Sequence, residues 1–337
     1  MDAGRKVLLL CGDSLLAMRS TDEIKLSEMT TFTSIYTYYF RKILEEMGGF
    51  EISVSYFKGE KYEGDYYQEM DLPVVDHTIA MQNKAFMYRP ELYERVKKIT
   101  KGKVCVIGDH DEHIGPEDII FHARETQHDP PNPKSRWIGW GGDPSIFYPE
   151  KQDKTLTIFV DGVYYVDNRK WDLTEEILND ILGRLPKMIG RSGFENFSLR
   201  TIGKGGIENI TNSDDAHSAT RGGNPRIPYS ELAKELRDSH IFISGHTESM
   251  GLSALEACLA GNYLIIPNLW EKAFIKPDLA KDLHHLYVTV GDENIEIPWA
   301  TVFENLDVEK SVRMASDKTW NAVVSRVVEE LYPAKDK

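Results

Sequence analysis

Short, almost wholly apolar runs punctuate this chain: V-L-L-L-C at 7–11, V-C-V-I at 104–107, L-T-I-F-V at 156–160 and I-F-I at 241–243. Runs of this length with no polar alternation predict strands buried on both faces of a parallel sheet. Strands are expected from Lys6, from Glu51, over Val104–Gly108, from Asp118 and from Arg136 in the first half. In the second half they are expected from Thr155, over Phe197–Ile202, Ile241–Ser244 and Tyr263–Ile266, and near Leu286–Val290. Between them the apolar spacing widens to three and four, predicting helices from Phe32 to Met47 (ended by Gly48-Gly49), from Arg89-Pro90 through Lys98, from Leu173 to Leu185 and from Ser230 to Arg237. Thr319-W-N-A-V-V-S-R-V-V-E-E-L-Y predicts a final amphipathic helix, and Thr211–Pro225, rich in Ser, Asp, Gly and Asn, reads as a mobile loop. Strands alternating with helices imply doubly wound α/β sheets.

At 337 residues the chain has room for two such domains. Gly141-G-D-P-S-I-F-Y-P is the turn-rich link between them. The composition, 41 % apolar and 28 % charged, is that of a soluble globular protein. No run near the N-terminus approaches the length of a signal peptide or membrane span. Cys11, Cys105 and Cys258 are odd in number and sit in apolar surroundings, which predicts buried reduced thiols and a cytoplasmic location. Forty basic against 54 acidic residues leave a net charge of −14, which serves solubility and disfavours nucleic acid as a partner unless a local basic patch offsets it.

The chemistry concentrates in H-I-F-I-S-G-H-T-E-S-M-G-L-S-A-L-E-A-C-L-A-G-N-Y-L-I-I-P, residues 240–267. It reads as a strand, a polar turn, a helix that stops at Gly261, and a second strand. Glu248 falls in the turn and Glu256 on the helix. With the helix starting near Met250, about 9 Å of axis at about 1.5 Å per residue separates the carboxylates. The open N–H groups of a helix start lie between them and suit a phosphate.

Strand, T-E-S-x-G-L-x-x-L-E-A-x-x-x-G, strand resembles the E-x7-E segment of retaining GT-B glycosyltransferases of the family 4 type. The link 141–149 resembles the G-x-D-x-x-x-F-x-P that opens their nucleotide-binding half. The resemblance implies a GT-B fold: two Rossmann-like, doubly wound α/β domains facing across a cleft, with a C-terminal helix crossing back. The boundaries expected are 1–147 for the acceptor-side domain, 148–315 for the nucleotide-sugar domain and 316–337 for the returning helix. It implies that Glu248 binds the donor sugar, Glu256 the ribose, and the Met250, Gly251 and Leu252 backbone the diphosphate.

Further roles carry over less sharply. In such enzymes an Arg and a Lys after the first strand of the second domain neutralise the diphosphate. Here Lys170 matches the Lys, with Arg169 beside it, while the Arg position reads Gly162 or Val163. Gly203-K-G-G resembles the turn where the base stacks. Gly12 and Asp13, after the first strand, fall where the acceptor-side loop belongs. D-H-D-E-H at 109–113 follows another strand, and His110, with His113 in reserve, takes the place of the histidine that faces the donor sugar. That cluster lacks the i, i+4 histidine pair of a helical metal site, so no metal and no cofactor are expected.

The activity implied is transfer of a sugar from a nucleotide-sugar donor to an acceptor hydroxyl with retention of anomeric configuration. Two alternatives stand beside it: a nucleotide-sugar 2-epimerase, and a catalytically silent nucleotide-sugar binder suggested by the missing Arg. The sugar, the base and the acceptor are left open.

Overall fold

The structure is a computed structural model that describes residues 4–11, 19–29, 32–56, 72–81, 86, 90–108, 115–123, 132–151, 154–161, 173–203, 206–219, 227–245, 251–268, 282–290 and 295–333. The strands are β1 (Arg5–Cys11), β2 (Phe50–Tyr56), β3 (His77–Ala80), β4 (Val104–Gly108), β5 (Ile119–His122), β6 (Ser135–Trp137), β7 (Thr155–Asp161), β8 (Asn196–Gly203), β9 (Gly206–Asn209), β10 (Ile241–Ser244), β11 (Tyr263–Asn268) and β12 (His285–Thr289). The α-helices are α1 (Phe32–Met47), α2 (Pro90–Ile99), α3 (Thr174–Arg184), α4 (Ser213–Ala219), α5 (Tyr229–Asp238), α6 (Leu252–Leu259), α7 (Trp299–Glu304), α8 (Val308–Ala315) and α9 (Trp320–Leu331). They divide into two compact units, Met1–Gly141 with Trp320–Lys337, and Gly142–Thr319.

The first unit is built on a sheet ordered β2-β1-β3-β4-β5-β6, parallel throughout. Val7–Cys11 and Val104–Gly108 are buried along their whole length, which is why neither run shows a polar alternation. Helix α1 buries Ile35, Tyr36, Tyr39, Phe40, Ile43 and Leu44, one stripe at spacings of three and four. It ends where Gly48 and Gly49 take φ of +68° and +73°, a region where a side chain is costly. Helix α9 belongs to this unit. Its Trp320 lies edge-on to Tyr36 (ring centroids 4.7 Å apart) and stacks on Tyr39 (4.8 Å). Gly141 passes directly over Trp320: a Cβ there would lie 2.8 Å from the Trp320 Cα.

The second unit holds a sheet ordered β12-β11-β10-β7-β8-β9. All neighbours are parallel except β8 and β9, which run antiparallel with Gly203 opposite Gly206. Its core joins Leu156, Ile158 and Val160 of β7 to Ile241 and Ile243 of β10, with Ile177 and Ile181 of α3 laid over them. Part of the stretch expected as loop is helix α4. Asn212 caps it, its Oδ1 accepting from the Asp215 amide (3.0 Å), while Asp215 accepts from the Thr211 amide (2.9 Å). Residues 220–225 of that expected loop lie outside the described set.

Strands β3 and β9 and helices α7 and α8 also go beyond the sequence expectation. Cys11, Cys105 and Cys258 are buried and form no disulfide, and burial pushes the Cys258 thiol up to about 12. Among the described residues no helix is long and apolar enough to cross a membrane.

Candidate nucleotide-sugar site

In the second unit the chain leaves β7 for β8 on one side and comes back to β10 on the other, so the sheet order reverses between β7 and β10. Open α/β sheets bind ligands at such a switch point, beyond the carboxyl ends of the strands. The two strands end level, with Ser244 opposite Asp161. On the far side of β7, Val160 pairs with Thr201, so Gly203 reaches just past the same edge.

The ends are held together by backbone hydrogen bonds. The Gly245 amide donates to the Asp161 carbonyl at 2.8 Å, and the Leu173 amide donates to the Gly245 carbonyl at 2.7 Å. Asp161 and Leu173 bracket residues 162–172, which carry Arg169 and Lys170, while Gly245 and Gly251 bracket 246–250, which carry Glu248 and Met250. Residues far apart in sequence are therefore joined at one point.

Gly251 is the N-cap of α6, in extended conformation with no side-chain cap. The helix starts at Leu252, two residues later than expected. Its first intrahelical bond runs from the Leu255 amide to the Gly251 carbonyl (3.2 Å). The N–H groups that helix geometry leaves open are those of Gly251, Leu252, Ser253 and Ala254, which include Gly251 and Leu252 of the expected set. Glu256 is the fifth helical residue, about 6 Å along the axis from the helix start. At the other end the Gly261 amide donates to Cys258 and the Asn262 amide to Ala257, with Gly261 at φ +82°: a Schellman stop.

Glu256 is 1 % exposed. The Tyr229 hydroxyl, at the first residue of α5, donates to its Oε1. Burial pushes the Glu256 carboxyl well above the usual carboxylate range, the Tyr229 hydrogen bond pulls against that, and the Asp161 charge adds to the rise. Tyr229 is itself buried, its ring edge-on to Phe147 of the link at 5.4 Å.

Of the residues singled out from the sequence, Gly251, Leu252 and Glu256 meet at this edge, with Gly203 on the neighbouring strand end. Gly203 closes a β8–β9 hairpin rather than a strand-to-helix turn. Glu248, Met250, Arg169, Lys170, His110, His113, Gly12 and Asp13 lie outside the described residues. In the first unit, 12–18 and 109–114 follow the ends of β1 and β4.

Three residues were not anticipated. Tyr229 and Asp161 sit at the second unit's strand edge, and His122, 2 % exposed, ends β5 opposite Gly108. The strand-terminal places of Asp161 and His122 were readable signals; nothing local to P-Y-S-E-L marks Tyr229.

No family model matches the sequence, and no curated protein matches it. Solved structures do. A sucrose-phosphate synthase from Thermosynechococcus elongatus superposes with a TM-score of 0.59 at 11 % identity, covering 98 % of this chain and 100 % of that one. AviGT4, a glycosyltransferase involved in avilamycin A biosynthesis, gives 0.54 at 12 % identity and 97 % of each chain. HepE of Anabaena, in complex with UDP and glucose, gives 0.51 at 11 %, covering 98 % of this chain and 100 % of that one. At such identities the likeness is one of fold. The fold is the α/β fold of the GT-B glycosyltransferases.

Proposed function

We propose that this chain is a cytoplasmic, retaining glycosyltransferase that moves a sugar from a nucleotide donor to an acceptor hydroxyl. One observation supports the reading above the others. At the switch point of the second sheet, the Gly245–Asp161 and Leu173–Gly245 hydrogen bonds join the residues that flank the stretches bearing Glu248 and Lys170, and the buried Glu256 of α6, a helix that opens at Gly251 with no side-chain cap, feels the Asp161 charge. A nucleotide-sugar asks for such a sequence of groups: hydroxyl acceptors at each end and donors for two phosphates between.

In this reading Glu248 holds the donor sugar, and Glu256 the ribose. The Gly251–Ala254 amides take the diphosphate with Lys170 and Arg169, and the base lies toward Gly203. His110 faces the sugar, and Gly12 and Asp13 stand on the acceptor side. The bond from the anomeric carbon to the diphosphate oxygen breaks as the acceptor oxygen bonds to that carbon. The acceptor's proton passes to the departing diphosphate. The protein's part is to orient both partners and to stabilise charge on the leaving group, which needs no protein nucleophile and no metal.

Glu248→Ala tests the assignment. Sugar transfer falls by at least about 10²-fold, as when a transition-state contact is lost, with the melting temperature unchanged. Near-normal turnover would remove Glu248 from the mechanism. Donor NMR without acceptor separates the epimerase alternative, which would interconvert the nucleotide-sugar unaided.

A further inference from the structure

Glu256 presents a physical problem. A carboxyl 1 % exposed loses its hydration and needs partners inside the protein. The Tyr229 hydroxyl meets that need at Oε1. It comes from the first residue of another helix, 27 positions earlier in the chain. Tyr229 is in turn fixed by its own burial and by the edge contact with Phe147, which is 1 % exposed and belongs to the turn-rich link. The Phe147 amide donates to the Asp143 carbonyl at 2.9 Å, so the ring is held by a closed turn. Three separate segments thus converge: the link, the start of α5 and the first turns of α6.

The geometry points to Tyr229 as the positioning residue of the nucleotide site: its hydroxyl occupies Oε1 of Glu256 and leaves Oε2 to meet the hydroxyls of a bound nucleotide. This inference rests on the proposed donor site and adds to it a residue that sets the geometry without touching the ligand. A carboxyl offers two oxygens, and fixing one restricts rotation about the terminal torsion, so the other is presented in one direction. Without the hydroxyl, the buried acid is free to turn, and ligand binding must supply the ordering. The Phe147 ring limits where the Tyr229 ring can lie.

The test is a double-mutant cycle on the full chain, read as Kd by calorimetric titration with UDP, GDP and ADP. Wild type binds one of the three. Tyr229→Phe weakens that binding about tenfold, while Glu256→Gln weakens it by a similar factor. The double variant is no weaker than Glu256→Gln alone, because Tyr229 acts through the carboxyl. Phe147→Leu, which keeps the hydroxyl but loosens its ring, weakens binding less, and only when Glu256 is present. It decides the matter if Tyr229→Phe fails to fold. Additive losses in the cycle, or unchanged affinity in both Tyr229→Phe and Phe147→Leu, would overturn the positioning role while leaving the donor site standing. Wild type that binds none of the three nucleotides would instead remove the donor site and this inference with it.

Discussion

The amide of Gly245 donates to the carbonyl of Asp161 at 2.8 Å, one residue beyond the level at which β10 and β7 end. The ladder thus continues past the regular strands, and the Gly245 carbonyl extends it to Leu173 at 2.7 Å. A switch point alone is a crevice. These two bonds turn it into a junction where two chain segments begin and one returns.

If that junction is rigid, the Gly245 and Leu173 amides exchange with solvent at least about a hundredfold more slowly than open loop amides, the mark of a structured region. Hydrogen exchange read by NMR checks this. Exchange as fast as an unstructured chain would mean that the anchor does not hold.

Two glycines with opposite surroundings test the packing of the first and second units. Gly141→Ala puts a methyl 2.8 Å from the Trp320 backbone and costs about 1–3 kcal/mol. Gly183→Ala, in the last turn of α3 with no atom within 4 Å of the new methyl, stabilises by about 0.5 kcal/mol. Thermal unfolding of both variants measures the difference, and equal effects would contradict the Trp320 contact.

Glu256 makes the site a liability to stability. Its folded pKa lies above the unfolded one, so the native chain holds a proton that the unfolded chain releases above about pH 4.5. Stability from this group is full below that pH and is lost as pH rises through the folded value. Glu256→Gln flattens that decline and raises the melting temperature at neutral pH, while it weakens nucleotide binding. A variant less stable than wild type at pH 8 would contradict a carboxyl whose pKa burial raises.

His284 acts with the opposite sign. Its Nδ1 shares a 2.8 Å hydrogen bond with Ser311 Oγ, and its ring meets Tyr263 at 4.6 Å. Burial lowers its pKa from 6.5 to about 4. Between those values the unfolded chain binds a proton that the native chain refuses, so stability falls as pH drops from about 6.5 toward 4. His284→Gln, which cannot titrate, loses that component of the acid slope. Denaturant titrations at pH 4.5 and 7 give the comparison.

The fold was legible where burial was complete. The runs V-L-L-L-C, V-C-V-I-G and I-F-I-S each became a strand, because a parallel sheet with both faces covered leaves no other pattern. Strand β3 was hidden because His77-T-I-A mixes polar with apolar positions; Thr78 is buried by pairing its hydroxyl with Thr100, at 2.7 Å. Helix α4 was hidden because Asn212 and Asp215 are taken up in its cap, and its apolar face is only Ala216 and Ala219. At the site, Glu256 could be found by spacing along one helix. Tyr229 could not, since its partner is reached only after α5 and β10 have brought α6 back beside it. The start of α6 was misplaced because Gly251, with no side chain to mark it, is the cap.

The central claim is a nucleotide-sugar site at the start of α6, and a binding screen tests it most directly. The full chain is melted with each of a panel of nucleotide-sugars and nucleoside diphosphates, and any stabilising donor is then followed by NMR with candidate acceptors. One base and its sugar conjugate raise the melting temperature, gaining about 2.7 kcal/mol when ligand stands at about 100 times Kd. The transferred sugar keeps its anomeric configuration. A chain whose melting temperature is unmoved by every member of the panel contradicts the account.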